Sequence, residues 1–394
     1  MEQLLKDYLI DGCPAIHEAR LNALLDVSKA LQHSHDLCLS ALGRKLSGDG
    51  SLKSKIKKAD RLIGNKHLHS ELTQLYTGLS KFVFTYLSHL EDIPIIVDLC
   101  FIKDDRAIQM LSAEVATKGR TIPLYRDVFS EGELSGRATA FLTTLKSMLP
   151  EGREIVFIMD AGFTVEWFKA IEELGWSWIS RLRGIKSVKL SVKTDWISIE
   201  DFMPKIGEKS TTYNEALITL KHQYPCRIIT TRRSSKGRKS KVSRGKISSK
   251  IASGAYNKSA KDPWILATNL PQNYNSVKII TLYEKRMQIE QSFRDIKSHQ
   301  FGLSGRNVRT KNIYRWEVKM LLAAIVQITF WILGVIGHSQ GMQKHYQSNT
   351  VKDRKVFSYF TLGKFIIEYD GLDKLNYTNE NLLEIIEKEL ARKW

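Results

Sequence analysis

Through the first ninety residues apolar positions recur at helical intervals and β-branched runs are scarce, so this stretch reads as a set of helices. Leu39 to Leu46 predicts one short helix, Ser47-Gly48-Asp49-Gly50 a turn, and Ser51 an N-cap whose hydroxyl opens a second helix. On that second helix Leu52, Ile56, Ala59 and Ile63 share a face, leaving Lys53, Lys55, Lys57, Lys58 and Arg61 outside. The order is that of a helix-turn-helix unit offering cations to phosphates or base edges, or of a basic helix solvated in an ordinary bundle.

The texture changes at Ile93. Ile93 to Val97 and Ile155 to Met159 are short apolar, β-branched runs that read as buried strands, each closed by an aspartate, Asp98 and Asp160. Between them, Ala107 to Ala116 and Thr121 to Phe129 fit two antiparallel strands, and Glu133 to Met148 a helix. After Asp160, Val165 to Leu174 predicts a helix and Trp176 to Arg181 alternates like a strand. Residues 185–262 carry short alternating runs such as Ser187 to Val192 and Ala216 to Leu220, the pattern of a β-rich insertion. Trp264 to Thr268 resumes strand character. Met320 to Ile336 is the most apolar segment; at 17 residues with Gln327 inside, it falls short of a span of roughly 20 and reads as a buried core helix. Short helices complete the tail, with an amphipathic pattern in Leu382 to Leu390.

Composition adds a direction. The 394 residues suffice for about two to four domains, and 43% hydrophobic content fits a folded globular chain. A net charge of +18 favours a polyanionic partner, most simply nucleic acid rather than a membrane. Nine of the positive charges fall between Thr231 and Lys250, a run without an acid that includes Arg238 and Lys239; it reads as a solvated loop or as a DNA contact that orders on binding. Cys13, Cys38, Cys100 and Cys226 are scattered without a CxxC pair, so reduced thiols in a cytoplasmic compartment are expected. Cys13, His17, His35 and Cys38 match no compact zinc spacing, and His67 and His69 read as surface residues.

The candidate chemistry centres on the run from Leu282 to Lys297. If it is one helix, Tyr283, Arg286, Glu290 and Lys297 fall within an arc of roughly 60°, while Ile289, Phe293 and Ile296 occupy an adjacent, buried face. A helical glutamate with two strand-end aspartates is the minimum set for two divalent ions about 4 Å apart around a phosphodiester. Hard carboxylate oxygens suit Mg²⁺, two ions of it, with Mn²⁺ able to substitute. Arg286 and Lys297 would position backbone phosphates, with Tyr283 donating a hydrogen bond nearby. Singly, each acid is equally a cap or an ion-pair partner; their joint occurrence with the helix signature carries the reading.

These residues resemble a family. Tyr-x2-Arg-x3-Glu-x6-Lys at 283 to 297, Asp98 closing IPIIVD, Asp160 in DAGF and KDPWILATNLP at 261 to 271 are similar to the DDE transposases of bacterial insertion sequences. The resemblance is to the insertion-sequence-four group and within it to the transposon-ten-type branch; DRLIGNKHLH at 60 to 69 extends it into the N-terminal helices. Leu99-Cys100 departs from that branch, standing where a more polar continuation is usual.

The resemblance implies an α/β fold with a ribonuclease-H-like, retroviral-integrase-like catalytic core and a β-rich insertion. Residues 1–90 would form the helical DNA-binding domain, 91–184 and 263–345 the two parts of the core, 185–262 the insertion and 346–394 the helical C-terminal region. It implies Asp98, Asp160 and Glu290 as metal ligands and Tyr283, Arg286 and Lys297 as holders of transposon-end phosphates. Trp264 is the candidate for stacking on a flipped base, or else a buried strand tryptophan. Lys53, Lys57, Arg61, Arg238 and Lys239 are the other candidate DNA contacts. The implied reaction is cut-and-paste transposition at terminal inverted repeats, through nicking, hairpin formation and strand transfer. The implied partners are double-stranded end and target DNA and a second copy of the chain, in the bacterial cytoplasm at the nucleoid. A metal-dependent nuclease without strand transfer and a DNA-binding regulator without catalysis are the competing readings.

Overall fold

A computed structural model describes residues 2–103, 106–184, 186–232, 262–298, 302–305, 307–348, 350–351, 356–369 and 371–391. The fold is mixed α/β, and the chain divides into two compact units, Met1–Ile155 with Met287–Trp394, and Val156–Arg286.

The first unit opens with six helices: α1 (Glu2–Gly12), α2 (Glu18–Ser34), α3 (Leu39–Lys45), α4 (Leu52–Ile63), α5 (Lys66–Ser70) and α6 (Leu72–Thr85). The expected cap is present, the Ser54 N–H donating to Ser51 Oγ at 3.3 Å. Gly43 explains how closely α3 meets α4, because a Cβ there would lie 2.4 Å from the Ile56 side chain. The buried face of α4 is not quite the expected one. Ala59, Leu62 and Ile63 are buried, whereas Leu52, the first residue of the helix, is 49% exposed.

Strands β1 (Asp92–Phe101), β2 (Ile108–Ala116) and β3 (Thr121–Ser130) follow as an antiparallel meander. All nine residues of β2 are buried, as a central strand covered on both faces requires. Helix α7 (Ala138–Lys146) is shorter than the span from Glu133 to Met148 that the sequence predicts. The preceding residues turn instead, with Gly132 and Gly136 at φ of 88° and 76°.

The unit resumes with α11 (Met287–Lys297), α12 (Ile313–Ser339), α13 (Gln343–Tyr346), α14 (Tyr359–Glu368) and α15 (Leu382–Ala391); α8 to α10 belong to the second unit. Helix α12 extends well beyond the Met320 to Ile336 core, and though long and apolar enough to cross a membrane, it is buried within the fold. It packs on α14, β3, α2 and α15. At its crossing with α14 the backbones touch: a Cβ on Gly334 would lie 1.8 Å from Tyr359 O, and one on Gly363 1.9 Å from Phe330 O. Gly363→Ala is therefore expected to lower stability by roughly 1–3 kcal/mol, the cost of overpacking. An unchanged denaturation midpoint would contradict that close crossing.

The second unit contains β4 (Glu154–Met159), α8 (Val165–Glu173), β5 (Ser177–Arg181), β6 (Ser187–Lys189), β7 (Ile197–Ser198), α9 (Ile199–Phe202), β8 (Thr211–Ile218), β9 (Tyr224–Thr231), β10 (Trp264–Thr268) and α10 (Ser276–Glu284), the unit boundary falling within β4. Its strand order is β4-β5-β10-β9-β8-β6-β7. Strands β4 and β5 are parallel, joined through α8, and the later pairings are antiparallel. Phe168 of α8 stacks on Trp178 of β5 at 4.0 Å between centroids, which fixes the helix on the sheet. Strand β9 carries no clean alternation, its Ile228 to Thr231 being buried throughout, so sequence pattern alone does not single it out.

Candidate active site

In the first unit Asp98 lies inside β1, not at its end as the sequence suggests. The strand continues through Leu99, Cys100 and Phe101 because β2 supplies partners to the end, Asp98 pairing with Ser112 and Phe101 with Gln109. Asp98 is half-buried, and its Oδ1 accepts the Leu99 N–H at 2.8 Å. Two residues on, Cys100 shares its face of the strand. Burial pushes the Cys100 thiol up to about 12; Lys297 and Arg126 pull it down, while Asp98 and Glu114 push it up. Asp98 and Lys297 thus both lie within electrostatic reach of one buried thiol.

The single helix expected from Tyr283 to Lys297 is two. Helix α10 ends at Glu284, the Lys285 and Arg286 N–H groups turn back onto Leu282 O and Tyr283 O at 3.1 and 3.0 Å, and α11 begins at Met287. These three-residue returns replace the four-residue helical ladder, so the four-residue arc does not hold. What survives lies on α11. Ile289, Phe293 and Ile296 are buried, while Glu290, Arg294 and Lys297 form an exposed stripe at the same spacing. The break also sets Glu290 in the first turn of α11, where unpaired N–H groups attract negative charge.

Helix α11 lies against β1, β2 and β3 and carries two polar anchors on its buried side. Asp295 pairs with Arg120 Nε at 2.9 Å; burial nevertheless raises its carboxyl to about 6, with Arg120 opposing the rise. Ser292 Oγ accepts Gln327 Nε2 at 3.2 Å, and Gln327 Oε1 accepts Arg126 Nη2 at 2.5 Å. The same Nη2 donates to Glu114 Oε1 at 3.0 Å, which also accepts Ser112 Oγ at 2.9 Å. Thr121 Oγ1 donates to the second Glu114 oxygen.

In the second unit Asp160 follows β4 directly, as expected. Its Oδ1 accepts the Gly162 N–H at 2.7 Å, and its own carbonyl accepts Ser180 Oγ at 3.0 Å. Lys186 secures the turn, Nζ donating to Ala161 O at 2.9 Å and Phe163 O at 3.4 Å. Burial lowers the Lys186 ammonium below its ordinary range, with Asp160 opposing. Tyr283 is 3% exposed and meets Trp264 edge-on, 5.1 Å between centroids. Half-buried Trp264 therefore has a packing partner whether or not it also stacks on a base.

Burial raises the Tyr283 hydroxyl to about 12, against Arg286 and Arg181, with Asp160 raising it further and Arg183 lowering it. That one phenol therefore registers Asp160, Arg286 and two arginines absent from the candidates read off the sequence. Arg181 Nη2 donates to Asp262 O and Pro263 O at 3.4 and 3.3 Å, and Arg183 pairs with Asp262 Oδ2 at 3.0 Å. Arg181 falls to about 10, chiefly by burial and then by repulsion from Arg183. The available sequence signal was Arg-Leu-Arg at the exit of a buried strand. Guanidinium groups whose field reaches one buried phenol are of the type that holds phosphate oxygens.

Lys53, Lys57 and Arg61 are exposed on α4, and Lys58 pairs with Asp26 Oδ2 at 2.6 Å. Arg238 and Lys239 lie outside the described residues, as do Asp104 and Asp105. The zinc arrangement is not formed: Cys13 Sγ donates to Gln74 Oε1 at 3.0 Å, and His17 caps α2. His69 is not a plain surface residue, since it pairs with Glu317 Oε2 at 2.5 Å and packs on Tyr314. Among the described residues, no three or more His, Cys, Asp or Glu side chains are gathered closely enough to hold a metal ion.

The sequence model of the family described as Transposase DDE domain matches residues 102–327, more than half of the chain. The matched span includes Asp160 and Glu290 and begins just after Asp98. No curated protein matches the chain.

Proposed function

The chain belongs to the Transposase DDE domain family, and from that premise we propose that it moves an insertion sequence by cut-and-paste transposition at terminal inverted repeats. Membership makes it a transposase, an enzyme acting on DNA, in a family that generally uses divalent metal ions. The finer assignment is to the insertion-sequence-four group and its transposon-ten-type branch, with residues 91–184 and 263–345 as the ribonuclease-H-like core. The observation that carries the reading is in the second unit, inside the matched region: Asp160, Arg286, Arg181 and Arg183 all act electrostatically on the one buried Tyr283 hydroxyl.

Asp98, Asp160 and Glu290 are the proposed ligands of two Mg²⁺ ions, with Mn²⁺ able to substitute. In donor type the three suit such ions, since all are hard carboxylates and a backbone N–H orients one oxygen of each aspartate, although among the described residues no three acids are gathered into a metal site. Bound there, divalent ions supply the charge that activates an attacking hydroxyl and stabilises the leaving oxygen. Arg286, Arg181 and Arg183 hold the phosphates flanking the scissile bond, and the Tyr283 hydroxyl donates a further hydrogen bond. Lys297 and Arg294, on the Glu290 stripe, neutralise phosphate charge as the strand enters. Trp264 stacks on a base extruded during hairpin formation. Lys53, Lys57 and Arg61 grip the terminal repeat, Arg238 and Lys239 add further DNA contacts, and two copies of the chain pair the element's ends in the bacterial cytoplasm.

The test is cleavage of DNA bearing the terminal repeats, with Mg²⁺ or with a chelator, resolved on a denaturing gel. Metal-dependent nicks followed by hairpins at the repeat boundary are expected. Binding without cleavage, or cleavage indifferent to the repeats, would contradict the proposal.

A further inference from the structure

The polar chain beneath α11 begins opposite one proposed ligand and ends next to another. Ser112 faces Asp98 across β1 and β2, and the chain runs through Glu114, Arg126 and Gln327 to Ser292, two residues beyond Glu290. Every member is buried: Ser112 and Glu114 are 0% exposed, Ser292 1%, Arg126 2% and Gln327 5%. A buried ion pair adds little stability over apolar side chains of the same volume, so its presence asks for another explanation. Serine is also a poorer helix former than alanine, and the Ser292 hydroxyl reaches out of its helix to Gln327. Gln327 is equally out of character in the Met320 to Ile336 run. The polar residue two places on, Thr329, donates to Ile325 O of its own helix at 2.9 Å, whereas Gln327 bonds outward at both ends of its amide.

An apolar helix face tolerates small rotations because dispersion contacts are non-directional, whereas hydrogen bonds fix angle as well as distance. We propose that Ser292 and Gln327 are positioning residues for the DNA reaction: through Arg126, Glu114 and Ser112 they set the rotation of α11, and with it the direction of the Glu290 carboxylate, against the strand that carries Asp98. The proposal rests on the reading of Glu290 as catalytic. Asp295 and Arg120 provide a second hold one turn farther along α11, which keeps the helix docked when the Ser292 hydroxyl is removed.

The test compares Ser292→Ala, Ser292→Thr and Gln327→Met with Ser28→Ala, which removes a buried hydroxyl with no hydrogen-bond partner among the described residues. Ser292→Ala is expected to slow single-turnover cleavage and weaken Mn²⁺ binding, measured by calorimetry on the protein alone, each by about 10-fold. DNA-end affinity should stay at the wild-type value, and the melting midpoint should fall by only a few degrees, because Gln327 Nε2 loses its buried acceptor while the rest of the fold is kept. Ser292→Thr should restore both quantities, Gln327→Met should reproduce the loss, and Ser28→Ala should behave as wild type. Wild-type cleavage and Mn²⁺ affinity in Ser292→Ala overturns the proposal, as does a loss shared by Ser28→Ala or one that disappears when cleavage is measured well below the variant's melting midpoint. Glu290→Gln, run alongside, separates the two claims. If it cleaves normally the assignment of Glu290 falls and this proposal with it, whereas an inactive Glu290→Gln beside a wild-type Ser292→Ala removes this proposal alone.

Discussion

Glu290→Gln is expected to reduce cleavage at the repeat boundary by on the order of 10³-fold or more, the upper range for removing one preorganised electrostatic group from an active site. The substitution keeps the side chain's length and removes its charge. Glu290 is exposed on the first turn of α11, so nothing in the packing of Ile289, Phe293 or Ile296 depends on its carboxylate, and the fold should be unaffected. DNA-end binding should persist, because the proposed phosphate-holding groups Tyr283, Arg286, Arg181 and Arg183 are untouched. Single-turnover cleavage with end-binding affinity measured on the same preparation checks both halves of the expectation. Wild-type cleavage would remove Glu290 from the reaction, and loss of binding in parallel would make it a DNA contact.

Arg126→Met is expected to destabilise the protein by about 3–5 kcal/mol, the cost of leaving a buried carboxylate without its counter-charge. Glu114 and Arg126 have fully buried side chains, and Glu114 Oε1 lies 3.0 Å from the guanidinium. With the arginine gone, Ser112 and Thr121 still donate to Glu114, but two neutral hydroxyls do not balance a charge out of water. Removing both partners should behave differently. Glu114→Leu with Arg126→Met exchanges an ion pair for apolar volume and is expected to recover most of the loss. Urea denaturation of the two single variants and the pair gives the coupling directly. Equal midpoints for Arg126→Met and wild type would mean that the pair is not buried in solution.

Much of the architecture was legible before any coordinates. The strands at Ile93 and Ile155 were readable because buried strands are continuous apolar runs, and the Ser51 cap because a hydroxyl before a helical period has one common use. The break between α10 and α11 was not readable. Nothing from Leu282 to Gln291 is glycine or proline, so local propensity favours one helix, and it is the packing of Tyr283 on Trp264 that holds α10 to the second unit while Ile289 and Phe293 bury in the first. Arg181 and Arg183 escaped for a related reason, since an arginine at a strand exit acquires meaning only from what lies opposite, here Tyr283 and Asp262.

By itself, then, the sequence determined the element types, the basic character and the family-like set of acids, because hydrophobic period, charge and residue spacing are properties of the chain. Only the tertiary structure decided that Asp98 sits within its strand, that Tyr283 and Glu290 stand on different helices, and that a chain of buried polar groups runs from Ser112 to Ser292. Those depend on partners from other elements, 12 residues away for Arg126 and Glu114 and 201 for Arg126 and Gln327, and burial is what turns such a partner into a requirement: away from water, each polar group must find its hydrogen bond within the fold.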